Sequence, residues 1–435
     1  MQVSVETIGA LERRVTVKVP AQRVDAEVDQ RLKSMLPKAR VKGFRPGKVP
    51  LKVVQLNYGP QVRDEVVSEL LRQTLGEALA QHQLNPAGGP RIEAAQAEPG
   101  GDLEYTAVFE IYPEVALAPF EKIRVERPSA EVTEADVDRM VENLRRQRGT
   151  WKPAMRAARD GDRITIDFDG TLDGKPFTGG KGERVPVVLG SGRMVPGFEP
   201  QLVGLAQDAS KRFELRFPAD YPAADLAGKE VGFEVRAHQV EELELPTVDD
   251  AFCKVFGVAE GGLARLRSEV GDNMRHELAA AIRRQVKDQV LEGLVTSNDV
   301  VLPKALVDEE VARLQRDALS RMGLLDRARQ PDLPREMFDA QAQRRVKLGL
   351  LVGEVLKTQR IRPDEQRLAR MIDDLAAEHP DRERARQAYR GNPDVMRQIE
   401  TLTLEEQAVD FLLSKAKVTE RAASFAELMR FGDQA

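Results

Sequence analysis

Cysteine is nearly absent: Cys253 stands alone among 435 residues, so no disulfide closes within the chain. His82, His238, His276 and His379 are too scattered to join it in a Cys-rich zinc site, and neither metal nor cofactor is expected. Apolar runs are short, none near the ~20 residues with which a helix crosses a bilayer, which argues against a helical membrane-spanning class, and no membrane partner is expected. Met1-Gln2-Val3-Ser4-Val5-Glu6 has neither a basic n-region nor an apolar h-region. It is not expected to be a secretory signal, and the cytoplasm is the expected compartment. No Walker motif, dinucleotide fingerprint, H-E-x-x-H or G-x-S-x-G occurs, so the sequence gives no ground for nucleotide hydrolysis, hydride transfer, zinc proteolysis or serine hydrolysis. Aromatic residues make up only 5%, so any place where they gather is informative.

The rest is ordinary for a globular chain: 41% hydrophobic, 31% charged, long enough for about three domains. A net charge of −5 argues against general coating of nucleic acid. One stretch breaks that balance. Lys38, Arg40, Lys42, Arg45, Lys48 and Lys52 follow one another with no acidic residue between them, which suggests a single polyanionic docking partner.

Periodicity divides the chain. In residues 1–115, alternating Val15, Val17 and Val19 predict a strand, and Val24, Val28, Leu32, Met35 and Leu36 a helix. A second helix runs through Val62 to Leu79, and a second strand through Leu103, Tyr105, Ala107, Phe109 and Ile111. Residues 116–150 form a connector with a helix opened by Thr133 and Asp136, a capping-box variant. Residues 151–245 carry short alternating segments, Asp-Gly turn signals at Asp169-Gly170 and Asp173-Gly174, and most of the aromatics: a small, mostly β domain. Beyond Pro246 strand signals cease. Leu263 to Leu294 predict one very long amphipathic helix, with four more after it, and residues 246–435 read as all-α.

Two constellations here are candidates for chemistry. In Gly43-Phe44-Arg45-Pro46-Gly47-Lys48-Val49-Pro50, glycines and prolines fix a tight loop with an aromatic beside a guanidinium at its tip. It is no P-loop: the Gly spacing is one residue short, no Ser or Thr follows Lys48, and no apolar strand leads in. On its residues alone, the lesser alternative is an ordinary interhelix turn with solvated lysines. Asp167-Phe168-Asp169 offers a carboxylate pair, read as solvent-facing residues around a buried Phe rather than as a metal or acid–base site.

The loop matches the trigger-factor signature Gly-Phe-Arg-x-Gly-x-x-Pro at Gly43, Phe44, Arg45, Gly47 and Pro50, and the chain resembles that family throughout. The resemblance implies a multidomain α+β architecture. An α+β ribosome-docking domain is followed by an FKBP-like antiparallel β domain with a short helix. An all-α chaperone domain with long helical arms completes it, and the connector packs with that domain. It also implies that Lys42, Gly43, Phe44, Arg45, Pro46, Gly47, Lys48 and Pro50 bind the ribosome, touching a tunnel-exit protein and rRNA, and that nascent chains are substrates. Gly161-Asp162-Arg163-Ile164-Thr165-Ile166-Asp167-Phe168-Asp169-Gly170 and Met194-Val195-Pro196-Gly197-Phe198-Glu199 resemble FKBP-type prolyl isomerases. That likeness places Phe168, Phe177, Val185, Met194, Val195, Phe198, Tyr221 and Phe233 around the pocket. Phe198 stands where many relatives have Trp, Val185 replaces an aromatic, and Thr178 stands where free-standing isomerases have Asp. Those departures bear on drug affinity more than on activity.

Each aromatic, taken singly, is also what the core of a small β domain requires. Met140, Met274, Met322, Met337, Met371 and Met396 on the helices suit either a pliable binding surface or ordinary core filling. The expected function is an ATP-independent, ribosome-associated chaperone that isomerises X-Pro bonds. A free isomerase with helical substrate arms and a binding module with a degenerate pocket are the alternatives. Self-association of the free protein as a homodimer is a further expectation.

Overall fold

Strands that alternate apolar and polar residues have one face to bury, and near the amino terminus that face receives two helices. A computed structural model of the chain describes every residue except 38, 42–43, 45–48, 97, 99, 224, 325–330, 332, 378 and 430–435, and the side chain of residue 94. The chain divides into two units, Met1–Val125 with Gln289–Lys417, and Glu126–Asp288 with Val418–Ala435.

The first unit begins with β1 (Gln2–Thr7), β2 (Glu12–Val19), α1 (Ala21–Met35), α2 (Leu51–Gln81), β3 (Arg91–Gln96) and β4 (Leu103–Glu110). The antiparallel sheet has the order β1-β2-β4-β3, with Val17 opposite Tyr105. Val15, Val17, Val19, Leu103, Tyr105 and Ala107 meet Val24 and Leu32 of α1 and Val54, Val62, Val66 and Leu70 of α2. Two polar side chains inside this core satisfy each other: Thr74 Oγ1 lies 2.8 Å from the Tyr105 hydroxyl and donates to the Leu70 carbonyl. Helix α2 starts well before Val62, directly after Pro50, and keeps Pro60 within it.

In the second unit, β5 (Arg124–Ser129) begins at the boundary and leads to α3 (Glu134–Gln147). Thr133 and Asp136 form a reciprocal cap: the Asp136 N–H donates to Thr133 Oγ1 at 3.2 Å and the Thr133 N–H to Asp136 Oδ2 at 2.9 Å. Then come β6 (Thr150–Pro153), β7 (Arg163–Leu172), β8 (Lys175–Val188), α4 (Phe198–Leu202), β9 (Ser210–Arg216) and β10 (Glu230–Glu244). They make a five-stranded antiparallel sheet in which β10 is paired by β6, β7 and β9, and β7 by β8. Asp173 and Gly174 turn the β7–β8 hairpin with φ of 52° and 74°, the double positive φ of a tight hairpin turn. Asp169-Gly170 is not a turn, contrary to its signature, but lies inside β7. A Cβ on Gly170 would stand 2.8 Å from Phe233 Cε1 and 3.0 Å from Phe177 Cε1, so packing against rings explains this glycine.

The remaining elements are α5 (Asp250–Val255), α6 (Gly262–Ser297), α7 (Lys304–Arg321), α8 (Glu336–Thr358), α9 (Glu365–Ala377), α10 (Arg382–Gly391), α11 (Pro393–Lys415), β11 (Lys417–Ala422) and α12 (Phe425–Met429). Within the second unit, Val137 and Val141 of α3 pack on Met274 and Leu278 of α6 and on Phe425. Within the first, Val307, Val311 and Leu314 of α7 pack on Phe338, Ala342 and Val346 of α8. The expectation that no strand follows Pro246 is corrected by β11, which pairs with β5. All six of its residues are exposed, so it lacks the apolar alternation that reveals strands. Among the described residues, no helix is long and apolar enough to cross a membrane.

Candidate functional site

The five-stranded sheet and α4 assemble one aromatic cup. Phe198, first residue of α4, is 1% exposed and Phe233 of β10 is 6% exposed; they form the floor. Their rings meet edge to face at 5.2 Å, and Phe168 of β7 approaches them at 6.0 and 6.4 Å. Phe168, Phe177, Val185, Met194, Val195 and Tyr221 are half-buried and pack against this floor, so all eight residues expected at the pocket fall in one cluster. Tyr221 lies edge-on to Phe217 at 4.7 Å, and among the described residues its hydroxyl has no hydrogen-bond partner. Two further aromatics belong to the cup: Phe213 stacks on Phe233 at 5.9 Å and Phe217 at 6.4 Å. Phe213 lies on β9 and Phe217 directly follows it, at two-residue alternation with Leu215 that was visible in the sequence, but no motif marked them as pocket residues.

A buried carboxylate sets the loop that carries Met194 and Val195. Glu199, only 6% exposed, accepts from Ser191 Oγ and from the N–H groups of Gly192 and Met194, each at 3.1 Å. Burial alone would raise its pKa, but these hydrogen bonds outweigh burial and hold it below the usual carboxyl value. Its stabilising contribution is therefore full above the unfolded carboxyl pKa of about 4.3 and is lost as pH falls through the lower folded value. Glu199→Gln turns one acceptor into a donor facing other donors. It is expected to cost ~1–3 kcal/mol at pH 7, with the difference from wild type shrinking below about pH 4. Urea unfolding followed by Trp151 fluorescence at both pH values checks this. Trp151, the only tryptophan, lies on β6 with the Arg163 guanidinium 4.9 Å from its ring.

The carboxylates of β7 do not behave alike. Asp169 is exposed as expected, whereas Asp167 is half-buried and bonded to His238, which corrects its reading as merely solvent-facing. Among the described residues, no group of three or more His, Cys, Asp or Glu side chains is arranged to hold a metal ion.

At the basic loop, Lys42, Gly43, Arg45, Pro46, Gly47 and Lys48 lie outside the described residues. Phe44 is 42% exposed, unusual for a large apolar ring. Pro50 is exposed and immediately precedes α2. The segments on either side are tied down: Ala39 and Val49 are buried in the core, and the Tyr58 hydroxyl donates to the Arg40 carbonyl at 2.8 Å.

The methionines divide. Met274 is buried core, Met140, Met371 and Met396 are half-buried, and Met322 and Met337 stand 51% and 71% exposed. A groove in the first unit runs between α7 and α8, lined by Leu306, Ala312, Val346 and Leu350 with Tyr112, and edged by Glu309 and Arg316.

Comparison with known proteins agrees along the whole length. Residues 1–144 match the family model for bacterial trigger factor protein (TF), 154–238 that for FKBP-type peptidyl-prolyl cis-trans isomerase, and 262–414 that for the trigger factor C-terminus. The trigger factor of Idiomarina loihiensis is 46% identical over 429 residues, 99% of each chain. That of Thioalkalivibrio sulfidiphilus is also 46% identical, over 99% of this chain and 98% of its own. A solved structure described as promiscuous substrate recognition in folding and assembly activities of the trigger factor chaperone aligns with a TM-score of 0.52. It is 18% identical and covers 95% of this chain and 100% of that one, a likeness of fold.

Proposed function

The chain belongs to the trigger factor family, and on that premise we propose that the cup around Phe198 is the seat of its isomerase activity and the loop around Phe44 its ribosomal anchor. The protein is a ribosome-associated chaperone that acts on nascent chains and catalyses cis–trans isomerisation of X-Pro bonds. Matches at both ends of the chain disfavour a free isomerase.

The cup supports this reading because isomerisation needs no acid, base or nucleophile. The barrier of ~18–20 kcal/mol comes from amide resonance, which is lost at the twisted transition state without any bond breaking. A dry aromatic cup holds the twisted, less dipolar amide better than the planar one, and each ~1.4 kcal/mol of that preference is a tenfold rate gain. Phe198 and Phe233 supply the dry floor, and Tyr221, whose hydroxyl has no partner among the described residues, supplies a donor to a substrate carbonyl.

Residues 1–115 dock, 116–150 connect, 151–245 isomerise and 246–435 hold unfolded chain, with exposed Met322 and Met337 offering pliable apolar contacts. The loop engages a tunnel-exit protein and rRNA, Phe44 supplying apolar area and Arg45 with its neighbouring lysines the charge. Action is independent of ATP, in the cytoplasm, with release governed by weak multivalent contacts. Free of the ribosome, the exposed apolar surface favours a homodimer.

Proline-limited refolding of a model protein tests the reading. The expected result is a slow phase accelerated in proportion to chain concentration, and aggregation suppressed without nucleotide. No acceleration, with aggregation still suppressed, would leave a holdase with a dead pocket.

A further inference from the structure

Phe168 and Val185, both walls of the cup, flank the same irregular point in the sheet. On β7–β8, Ile166 pairs with Val185 and Phe168 with Gly182, so Glu183 and Arg184 together oppose the single residue Asp167. On β7–β10, Ala237 pairs with Ile166 and Gln239 with Thr165, so His238 is an extra residue on that side. Each neighbour of β7 thus carries a bulge, and both bulges reach Asp167. Its Oδ1 accepts the Arg184 N–H at 2.7 Å, and its Oδ2 meets His238 Nε2 at 2.6 Å. Arg184 adopts a φ of 50°, strained for a non-glycine residue and in need of support. The bulge presses on the cup: a Cβ on Gly182 would stand 2.5 Å from Phe168 Cε1 and 2.9 Å from Val185 Cγ2.

We infer that Asp167 is a positioning residue for prolyl isomerisation, one carboxylate spanning two bulges and thereby holding Phe168 and Val185 at the geometry the twisted amide requires. Bulges re-aim side chains, and here one carboxylate accepts from the first bulge and meets the second. Without Asp167 the Arg184 N–H loses its partner, the positive φ loses its support, and the β8 wall shifts against the Phe168 ring. His238 fixes the second oxygen and hence the carboxylate plane. The inference rests on the cup being the isomerase site.

The test compares Asp167→Ala, Asp167→Asn and Phe168→Leu in the full chain, with kcat and KM measured on a proline peptide and folding checked by Trp151 fluorescence. Asp167→Ala is expected to lower kcat and kcat/KM together, by about tenfold, with KM little changed and the protein folded. Asp167→Asn retains an oxygen for the Arg184 N–H and is expected to recover to within about threefold of wild type. Phe168→Leu is expected to lose activity in either case. Wild-type kcat in Asp167→Ala beside a damaged Phe168→Leu would overturn the positioning role and leave the cup standing. Equal loss in Asp167→Ala and Asp167→Asn would also overturn it, since the retained acceptor would then count for nothing. Full activity in both Phe168→Leu and Asp167→Ala would remove the cup and the inference together.

Discussion

Phe198→Ala is expected to lower kcat/KM for proline peptides by about a hundredfold, the equivalent of ~2.7 kcal/mol of transition-state stabilisation. The side chain is 1% exposed and meets Phe168, Phe213 and Phe233 edge to face, so its removal opens the cup floor and admits water. The same cavity is expected to cost ~3–5 kcal/mol of stability in this domain. Phe198→Leu separates the two effects, because it keeps most of the volume: it should remain folded by Trp151 fluorescence while losing about tenfold in rate. Ribosome binding should be unaffected in both variants. Full activity in a folded Phe198→Leu and Phe198→Ala pair would place catalysis elsewhere in the molecule.

Phe44→Ala combined with Arg45→Ala is expected to weaken ribosome binding by at least about a hundredfold, ~2.8 kcal/mol for the pair, since aromatic and arginine side chains are enriched among the residues that anchor an interface. Titration against labelled ribosomes measures it. Loss of one phosphate contact with Arg45 should also flatten the salt dependence by about one in log–log slope. Isomerase activity on free peptides should stay at the wild-type level. An unchanged affinity would reduce the loop to an interhelix turn with solvated lysines.

Much of this was legible in the sequence because it is written in periodicity and in chemistry. The alternation of Val15, Val17 and Val19, the helical spacing from Leu263 to Leu294 and the Thr133–Asp136 cap are local signals, and the folded chain uses each of them. The parts that were missed depend on partners distant in sequence. Strand β11 is exposed throughout and exists because β5 lies beside it. Helix α10, between Pro380 and Pro393, has too few apolar residues to show a stripe. Asp169-Gly170 carries a turn signature, yet its glycine answers to the rings of Phe233 and Phe177. At the candidate site, the residues that the family resemblance names fall in one cluster. Phe213 and Phe217, which stack on Phe233 from β9 and the residue just after it, were not legible, nor was Glu199 as the organiser of its loop, because its role appears only when three donors converge on it. Asp167 lies in the same class: only the two register shifts beside it reveal what its carboxylate holds.

The ribosomal role is tested most directly by sedimenting the wild-type chain with vacant ribosomes through a sucrose cushion at near-physiological salt. Saturable pelleting at about one chain per ribosome, lost as salt is raised, is the expected result. A wild-type chain that stays in the supernatant at every concentration, while still catalysing proline-limited refolding, would contradict ribosomal docking and leave a free isomerase with helical arms.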